Sequence, residues 1–496
     1  MMQEQSVETG PSLERSIGLG RVLFQSITTM APGASVVFGL GLIMVYTGIA
    51  APFAMLVGAI GGVIVAFCIG QLATRIPSAG GFYSYAALTF GNAFGFIVGW
   101  LYSALYVILV CVSGINFSLV TQDFLSYYFH FAPPYWLLVA IIVLVILGVT
   151  YIGVRLSTGL AAVLGTIEVG VILLLTIILI ARAGSANSFA LFNPAHAAQA
   201  GTSTFRSVFL GIVFAFAATA GFEACLPLAE EAKNPKRTVP LALVLSAGLI
   251  GAFYVLATYG AIVGWGPAHL SGYIDSANAW RVMGGKISAV LAVLVSLAII
   301  NSTVGGEQSG YNAVSRLLYA MGRAATLPKA LARIHAQRRT PYIAVVASGL
   351  LALALMYIAM ALFTAYGAFV FYLTLASFIF LILYTVIVIA STVYIYNRHR
   401  SEFSVVANVI APILALAVLL PTLYYSLKGL TYPADRALPV LGVLVLLGIG
   451  VLILLRARGT DISAERQHWL REDTMDEVLT SETTTMPAAN PTSEGA

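Results

Sequence analysis

The chain has 496 residues, of which 59% are hydrophobic and only 9% are charged, and its formal net charge is +5. A water-soluble domain needs roughly a quarter of its residues charged to solvate its surface. The composition therefore excludes a soluble protein and predicts an all-α integral membrane protein. Residues 22–72 contain no charged side chain, and this stretch alone is long enough for two bilayer crossings of ~20 residues each.

Hydrophobic segments in chain order predict about 12 transmembrane helices. The predicted spans are 22–48, 50–73, 91–120, 135–153, 158–181, 205–230, 238–264, 285–315, 341–363, 367–396, 404–425 and 437–455. A polar tail, 1–20, precedes them, and a polar tail predicted to be mostly disordered, 457–496, follows them. The three cysteines lie in apolar runs without metal-ligand spacing, so we expect no metal and no cofactor.

The basic residues predict the orientation of the chain. With the N-terminus in the cytoplasm, 19 of the 25 Lys and Arg residues fall on the inner side and 6 on the outer side. Both termini are therefore predicted to be cytoplasmic, in the cell membrane. This distribution also explains the net charge without a nucleic-acid partner. Trp265 and Trp280, near predicted outer ends, are expected to be interface anchors.

Two spans are interrupted by helix-weakening residues at mid-depth. Span 1 carries Ala-Pro-Gly-Ala-Ser at 31–35, and span 6 carries Thr-Ala-Gly-Phe-Glu at 219–223. The first ten spans divide into two sets of five, and because five is odd the second set runs in the opposite sense. Simple kinks in packed helices would also use Pro and Gly. A matched pair in inverted halves, however, favours a transporter's substrate site, where a ligand satisfies the freed backbone groups.

Three motifs lie at predicted cytoplasmic ends. Residues 77–85 read Pro-Ser-Ala-Gly-Gly-Phe-Tyr-Ser-Tyr, 221–240 contain Gly-Phe-Glu, Glu-Glu-Ala-Lys-Asn-Pro-Lys-Arg and Pro, and 315–323 read Ser-Arg-Leu-Leu-Tyr-Ala-Met-Gly-Arg. Together, in this order, they resemble the signatures of the amino acid–polyamine–organocation (APC) permeases. The resemblance implies the leucine-transporter (LeuT) fold: a transport core, 21–397, with inverted five-helix repeats at 21–183 and 204–397, and two accessory helices within 398–456.

The resemblance also implies a central site between spans 1, 3, 6, 8 and 10. Backbone N–H groups of the broken span 1 would hold the substrate carboxylate, and backbone carbonyls around both breaks would hold the ammonium group. The residues so implied are Thr28, Thr29, Ala31, Gly33, Ala34, Ser35, Phe216, Ala217, Thr219, Ala220, Gly221 and Phe222.

The sequence departs from the family pattern at two places. Many members carry an aromatic gate where this chain has Ala217, and Phe216 or Phe222 is the expected substitute. The small residues 217–220 predict a roomy pocket. Some members also carry a coupling lysine in span 5, and Glu168 stands there in this chain.

Three acids lie inside predicted spans: Glu168, Glu223 and Glu307. A bare charge at the bilayer centre costs ~3 kcal/mol by insertion scales, so each must be protonated, hydrogen-bonded or in contact with water. Glu223 is expected to cap the second half of span 6. Glu168 is either a proton carrier or a protonated structural acid, and Glu307 is expected to line the inner cavity as a second candidate for coupling. Hydroxyl and amide oxygens at 301–303 also offer a place for sodium.

These observations predict a permease, a secondary active transporter that moves amino acids or related organic amines by alternating access, as a proton-coupled symporter or exchanger. A membrane sensor of the same fold and a sodium-coupled amino acid symporter are the alternatives. An enzyme is not expected, because all six histidines map to loops or the tail. The expected partners are the substrate, a proton or sodium ion, and the lipid bilayer.

Overall fold

The computed structural model describes residues 15–460 apart from 153, 198–202, 277, 429 and 431. Across these ranges the chain is helical, and the extended pairing it shows is an isolated bridge between Ile17 and Ala232. Apolar spans form helices because a helix satisfies its own backbone N–H and C=O groups, which lipid cannot do. Most of the two predicted tails, at 1–14 and 461–496, lies outside the described residues.

The first five predicted spans correspond to seven helices. Span 1 is divided into two helices, and a short helix that carries the first motif follows span 2. The helices are α1 (Leu19–Thr29), α2 (Pro32–Thr47), α3 (Ala51–Arg75), α4 (Phe82–Phe90), α5 (Asn92–Phe129), α6 (Tyr135–Ile152) and α7 (Val154–Arg182).

The next five predicted spans also begin with an interrupted helix, but the second part of this helix is a 3-10 helix and not an α-helix. Span 6 begins as an α-helix and continues as a 3-10 helix over Phe222–Glu231. Two short helices connect spans 7 and 8. The helices of this half are α8 (Thr204–Thr219), α9 (Pro235–Trp265), α10 (Leu270–Ile274), α11 (Ala279–Gly285), α12 (Ala289–Arg323) and α13 (Tyr342–Arg398).

Helix α13 contains two crossings. Its 57 residues would extend ~85 Å as one straight helix, whereas the hydrocarbon core is ~30 Å thick. Thr364 has non-helical dihedral angles, φ 65° and ψ 172°, and separates 342–363 from 365–398. These two segments match predicted spans 9 and 10.

The chain continues through a π-helical turn, Val406–Ile410, into α14 (Ala411–Ser426) and then α15 (Ala437–Ala457). Nine helices of the described part are long and apolar enough to cross a membrane, and α6 provides a shorter apolar segment. Since some of these nine combine two predicted spans, the count of 12 crossings stays a prediction. Short 3-10 turns lie at Gly48–Ala50, Gly184–Ala186, Phe189–Phe192, Pro194–His196, Pro267–His269, Lys329–Ala332, Arg400–Glu402 and Ala434–Arg436.

Burial separates central from peripheral spans. The apolar stretch of span 6, within Thr204–Glu231, is 89% buried, whereas that of α15, within Ala434–Ala457, is 17% buried. A helix that is apolar on all sides and exposed in the bundle faces lipid. Span 6 therefore lies at the centre of the protein, and α15 lies at its edge.

The expectation that Trp280 is an interface anchor is wrong. Its side chain is fully buried, and its Nε1 donates hydrogen bonds to the Val36 carbonyl at 2.9 Å and to the Tyr273 hydroxyl at 3.0 Å. Trp280 thus joins the connection between spans 7 and 8 to α2. Sequence position near a span end could not distinguish this buried contact from an exposed one.

Small residues allow the central spans to approach closely, as is common between membrane helices. A Cβ atom added to Gly58 of α3 would lie 2.6 Å from Ala215 Cβ of α8, and one added to Gly211 would lie 2.3 Å from Thr47 Cγ2. Both distances are shorter than atoms tolerate, so these helices depend on glycine at the contact.

We predict that Gly58→Ala destabilises the protein by ~1–3 kcal/mol, because overpacking forces the two helices apart. Thermal unfolding in detergent measures this effect as a lower midpoint. Gly170→Ala is the matched control, since a Cβ at Gly170 of α7 meets nothing within 4 Å. Equal midpoints for the two variants would contradict the close contact of α3 with α8.

Candidate functional site

The break in span 1 is centred on Ala31, which has left-handed dihedral angles, φ 46° and ψ 65°. Pro32 then begins α2 without an N–H group, and the next N–H groups, of Gly33 and Ala34, have no preceding turn to supply acceptors. On the other side of the break, the Met30 carbonyl accepts two hydrogen bonds. They come from Tyr254 Oη at 2.7 Å and from Ser35 Oγ at 3.0 Å. The start of α2 therefore presents backbone donors at mid-depth.

Gly33 is required by close packing and not by an unusual φ. A Cβ atom at this position would lie 3.0 Å from Ser302 Cβ and 3.2 Å from the Ala298 carbonyl oxygen. The start of α2 thus rests directly on α12, the eighth span.

The break in span 6 contacts the break in span 1. Helix α8 ends at Thr219, and Gly221 then takes φ 111°. A Cβ atom on Gly221 would lie 3.0 Å from Thr29 Cγ2, and Ser26 Oγ donates a 2.6 Å hydrogen bond to the Phe222 carbonyl. The two interruptions singled out in the sequence therefore meet in space.

The carboxyl group of Glu223 holds the second break. It accepts hydrogen bonds from the Gly221 N–H at 3.1 Å, the Tyr106 hydroxyl at 3.2 Å and the Tyr384 hydroxyl at 2.6 Å. These donors come from spans 6, 3 and 10, and the side chain of Glu223 is fully buried. Three protein donors on one acid connect the break rigidly to two other spans.

Glu168 likewise accepts a backbone hydrogen bond at the first break. Its carboxyl group is 1% exposed and accepts hydrogen bonds from the Gly33 N–H at 3.3 Å and from Asn301 Nδ2 at 3.0 Å. It therefore joins span 5 to the start of α2 and to span 8. The sequence around Glu168 shows apolar neighbours alone, because its partners lie more than a hundred residues away along the chain.

Glu307, unlike the other two acids, makes no hydrogen bond at either break among the described residues. Its side chain is fully buried, and within the described residues its two carboxyl oxygens have no hydrogen-bond partner. A Cβ atom on Gly114 of α5 would lie 3.3 Å from Glu307 Oε2 and 2.8 Å from Met356 Sδ of α13. The carboxyl group thus faces α5 and α13, and it does not line the central cavity.

A cavity of about 60 Å³ lies between spans 1, 3, 6, 8 and 10, where the resemblance places the substrate site. Six of the residues predicted from the sequence line it: Thr29, Ala31, Ala34, Ser35, Ala217 and Ala220. The other six lie behind its wall or in the breaks: Thr28, Gly33, Phe216, Thr219, Gly221 and Phe222.

Different aromatic side chains from those expected enclose the cavity. Phe216 points at Gly61 of α3, where an added Cβ would lie 2.8 Å from its Cζ, and Phe222 stacks on Tyr384 with ring centroids 5.2 Å apart. Instead, Phe214 and Phe369 line the cavity.

Other lining residues were also missed. They are Met30, Gly39, Leu109, Val112, Ser113, Asn116, Gly306 and Leu373, and the lining also includes Ala218 of the predicted small-residue run and Thr303 of the candidate sodium site. Those on α5 have a periodic signal that could have found them, since 109, 112, 113 and 116 follow the spacing of one helix face.

The bundle is closed at its predicted cytoplasmic end. Arg316 and Glu231 form a 2.9 Å ion pair with side chains 0% and 2% exposed, and the Ile17 N–H donates to the Glu231 carbonyl at 3.1 Å. At the opposite end, a cavity of about 490 Å³ is lined by side chains that include Asp123 and Asp275. The structure therefore has more free space on its predicted outer side.

A helical membrane bundle with two broken helices that meet at a small central cavity defines a secondary transporter. The amino acid permease family model matches residues 21–464. The chain belongs to this family, as the sequence motifs predicted. It is a multi-pass membrane transporter for amino acids or related compounds, and its family is one of permeases and not of enzymes.

Individual relatives agree with this assignment. The chain is 27% identical to the branched-chain amino acid permease BcaP of Lactococcus lactis over 65% of this chain and 70% of that protein. It is 25% identical to the methylthioribose transporter of Bacillus subtilis, over 69% and 76%. It is 26% identical to the large neutral amino acids transporter small subunit 2 of Rattus norvegicus, over 68% and 66%.

Two solved structures share the fold. A manganese transporter mutant of Eremococcus coleocola aligns with TM-score 0.55 and 11% identity over 88% of this chain and 93% of its own. Mhp1, a nucleobase-cation-symport-1 family transporter in a closed conformation, aligns with TM-score 0.50 and 14% identity over 86% and 96%. The LeuT-type fold expected from the sequence is thereby confirmed.

We predict that Glu223→Gln lowers stability by ~1–3 kcal/mol, because an amide presents N–H donors to groups that themselves donate. The thermal unfolding midpoint in detergent measures the loss. Glu402→Gln is the matched control, since the Glu402 side chain is 57% exposed and pairs with Arg75, and exposed pairs contribute little. If both variants unfold at the same temperature, the Glu223 hydrogen bonds do not hold the break.

Proposed function

We propose that this chain is a proton-coupled amino acid transporter of the cell membrane, with both termini in the cytoplasm, and that its substrate occupies the central cavity. The start of α2 supports this proposal, because the positive end of a helix with free N–H groups attracts a carboxylate. Ala34 lies at that helix end and lines the cavity. Carbonyl groups near Thr29 and Ala220, which line the cavity at the two breaks, would accept hydrogen bonds from the substrate ammonium group.

The hydrogen bond from the Gly33 N–H to Glu168 carries the coupling part of the proposal. Glu168 already occupies one of the donors at the helix end to which the substrate carboxylate would bind. Two ionised carboxylates in contact with one site repel each other, and this repulsion favours protonation of one of them. A protonated Glu168 removes the repulsion and lets the substrate bind.

This arrangement links the two ligands. If substrate binding favours the protonated form of Glu168, then protonation of Glu168 must favour substrate binding by the same factor. Within the described part of the chain no Lys or Arg forms an ion pair with Glu168, so no fixed cation replaces the proton. Opening the cavity to the opposite side would then release both ligands together.

We predict that Glu168→Gln abolishes uphill accumulation of substrate driven by an imposed pH gradient in proteoliposomes, because glutamine cannot carry a proton. Substrate exchange across the membrane without a gradient should persist, since the amide retains the shape of the neutral acid. Uptake of radiolabelled amino acids under a proton gradient and under no gradient measures these two activities, and uptake under a sodium gradient tests for sodium coupling.

Glu307→Gln is the matched comparison, because Glu307 is equally buried and does not line the cavity. Proton-driven accumulation that survives in Glu168→Gln but is lost in Glu307→Gln would transfer the coupling role to Glu307. Accumulation driven by sodium alone would establish the sodium symporter. Binding without flux in the wild-type protein would establish a sensor and contradict the transport function.

A further inference from the structure

The side chain of Asn116 is an unsatisfied polar group on the wall of the central cavity. It lies on α5, the third span, is 5% exposed and lines the cavity. Its Oδ1 atom is buried and has no hydrogen-bond partner within the described residues. A buried amide oxygen without a partner is unfavourable, so a polar group in this place indicates a ligand that completes it.

Three other hydroxyl groups of the cavity wall already donate to backbone carbonyls and are less available to a ligand. The hydroxyl of Thr29 donates to the Gln25 carbonyl at 2.8 Å, and that of Thr303 donates to the Ile300 carbonyl at 2.7 Å. The hydroxyl of Ser35 likewise donates to a backbone carbonyl in the span 1 break at 3.0 Å. Ser113, one turn before Asn116, is the neighbouring hydroxyl on the same wall.

The surroundings of Asn116 are apolar. Leu109 and Val112 of its own helix line the same wall, and Phe214, Phe369 and Leu373 line the cavity from spans 6 and 10. A few polar groups in an otherwise apolar pocket determine which ligand fits. The cavity, at about 60 Å³, has room for about five waters on the measure by which one water needs ~10–15 Å³. This size suits a small amino acid.

We propose that Asn116 selects small amino acids whose side chain carries a hydroxyl group, such as threonine and serine. A hydroxyl both donates and accepts, so it can satisfy either end of the amide. A site that hydrogen-bonds a substrate hydroxyl rejects the analogue without it far more strongly than an apolar pocket rejects an added methyl group. This proposal rests on the central cavity as the substrate site of the proposed transporter.

Threonine and valine form the decisive pair, because they have nearly the same shape and differ by a hydroxyl in place of a methyl group. Equilibrium binding to the full-length purified protein gives the affinity ratio of L-threonine to L-valine. We expect the wild-type protein to bind threonine at least tenfold more tightly. In Asn116→Leu, which keeps the size of the side chain, the ratio should fall to one or reverse, while binding of valine persists.

Ser118→Ala is the matched control on the same helix, since the Ser118 hydroxyl donates to the Ile115 carbonyl at 2.7 Å and does not line the cavity. It should leave the ratio unchanged. Equal binding of threonine and valine to the wild-type protein, or an equal loss of both in Asn116→Leu, would overturn the role of Asn116 while the amino acid site stands. If the wild-type protein binds no amino acid of a complete panel, both this inference and the proposed function are wrong.

Discussion

The backbone N–H groups at the start of α2 are the constraint on which the centre of this protein depends. A membrane span that breaks at mid-depth frees groups that lipid cannot satisfy, and each unsatisfied group costs several kcal/mol. The chain meets this cost with carboxyl groups. Glu168 accepts from the Gly33 N–H in the first break, and Glu223 accepts from the Gly221 N–H in the second. Both acids therefore have a structural role, the satisfaction of backbone N–H groups at the breaks, whatever their part in transport.

The two carboxyl groups differ in how completely the protein surrounds them. Glu223 accepts from two tyrosine hydroxyls in addition to the backbone, and these come from spans 3 and 10. Glu168 accepts from one backbone and one amide donor, has the Ser302 hydroxyl beside it, and lies at the helix end that borders the cavity. We expect Glu223 to remain fixed through the transport cycle, whereas Glu168 is placed to respond to a bound carboxylate.

The spans and the positions of the two breaks could be predicted, because they depend on the residues of each local segment. Uncharged runs predict spans, and Pro32 and Gly221 mark the places where the helices break. Which span 6 side chains face the cavity could not be predicted in the same way, since that helix is apolar on all sides and shows no polar face to orient it. The aromatic gate of related proteins led us to expect Phe216 or Phe222 at the cavity, whereas Phe214 lines it.

Long-range contacts were the other limit. One partner of Glu168 is a backbone group 135 residues away, and no spacing rule indicates it. Trp280 is buried for a similar reason, because α11 packs on α2 and Trp280 donates a hydrogen bond to the α2 backbone. Asn116 could have been found from the helical spacing of the α5 residues, but the missing partner of its Oδ1 atom is visible only in the folded chain.

The central claim is that substrate carboxylate and Glu168 share the start of α2, and the pH dependence of substrate affinity tests it most directly. Equilibrium affinity is measured across mildly acidic to mildly alkaline pH, with the tightest-binding amino acid of the panel, in the wild-type protein and in Glu168→Gln. The account predicts that wild-type affinity weakens as pH rises, by up to about tenfold per pH unit for one linked proton, and that Glu168→Gln shows no such dependence. A wild-type affinity that does not change with pH, or the same dependence in both proteins, would contradict the shared site.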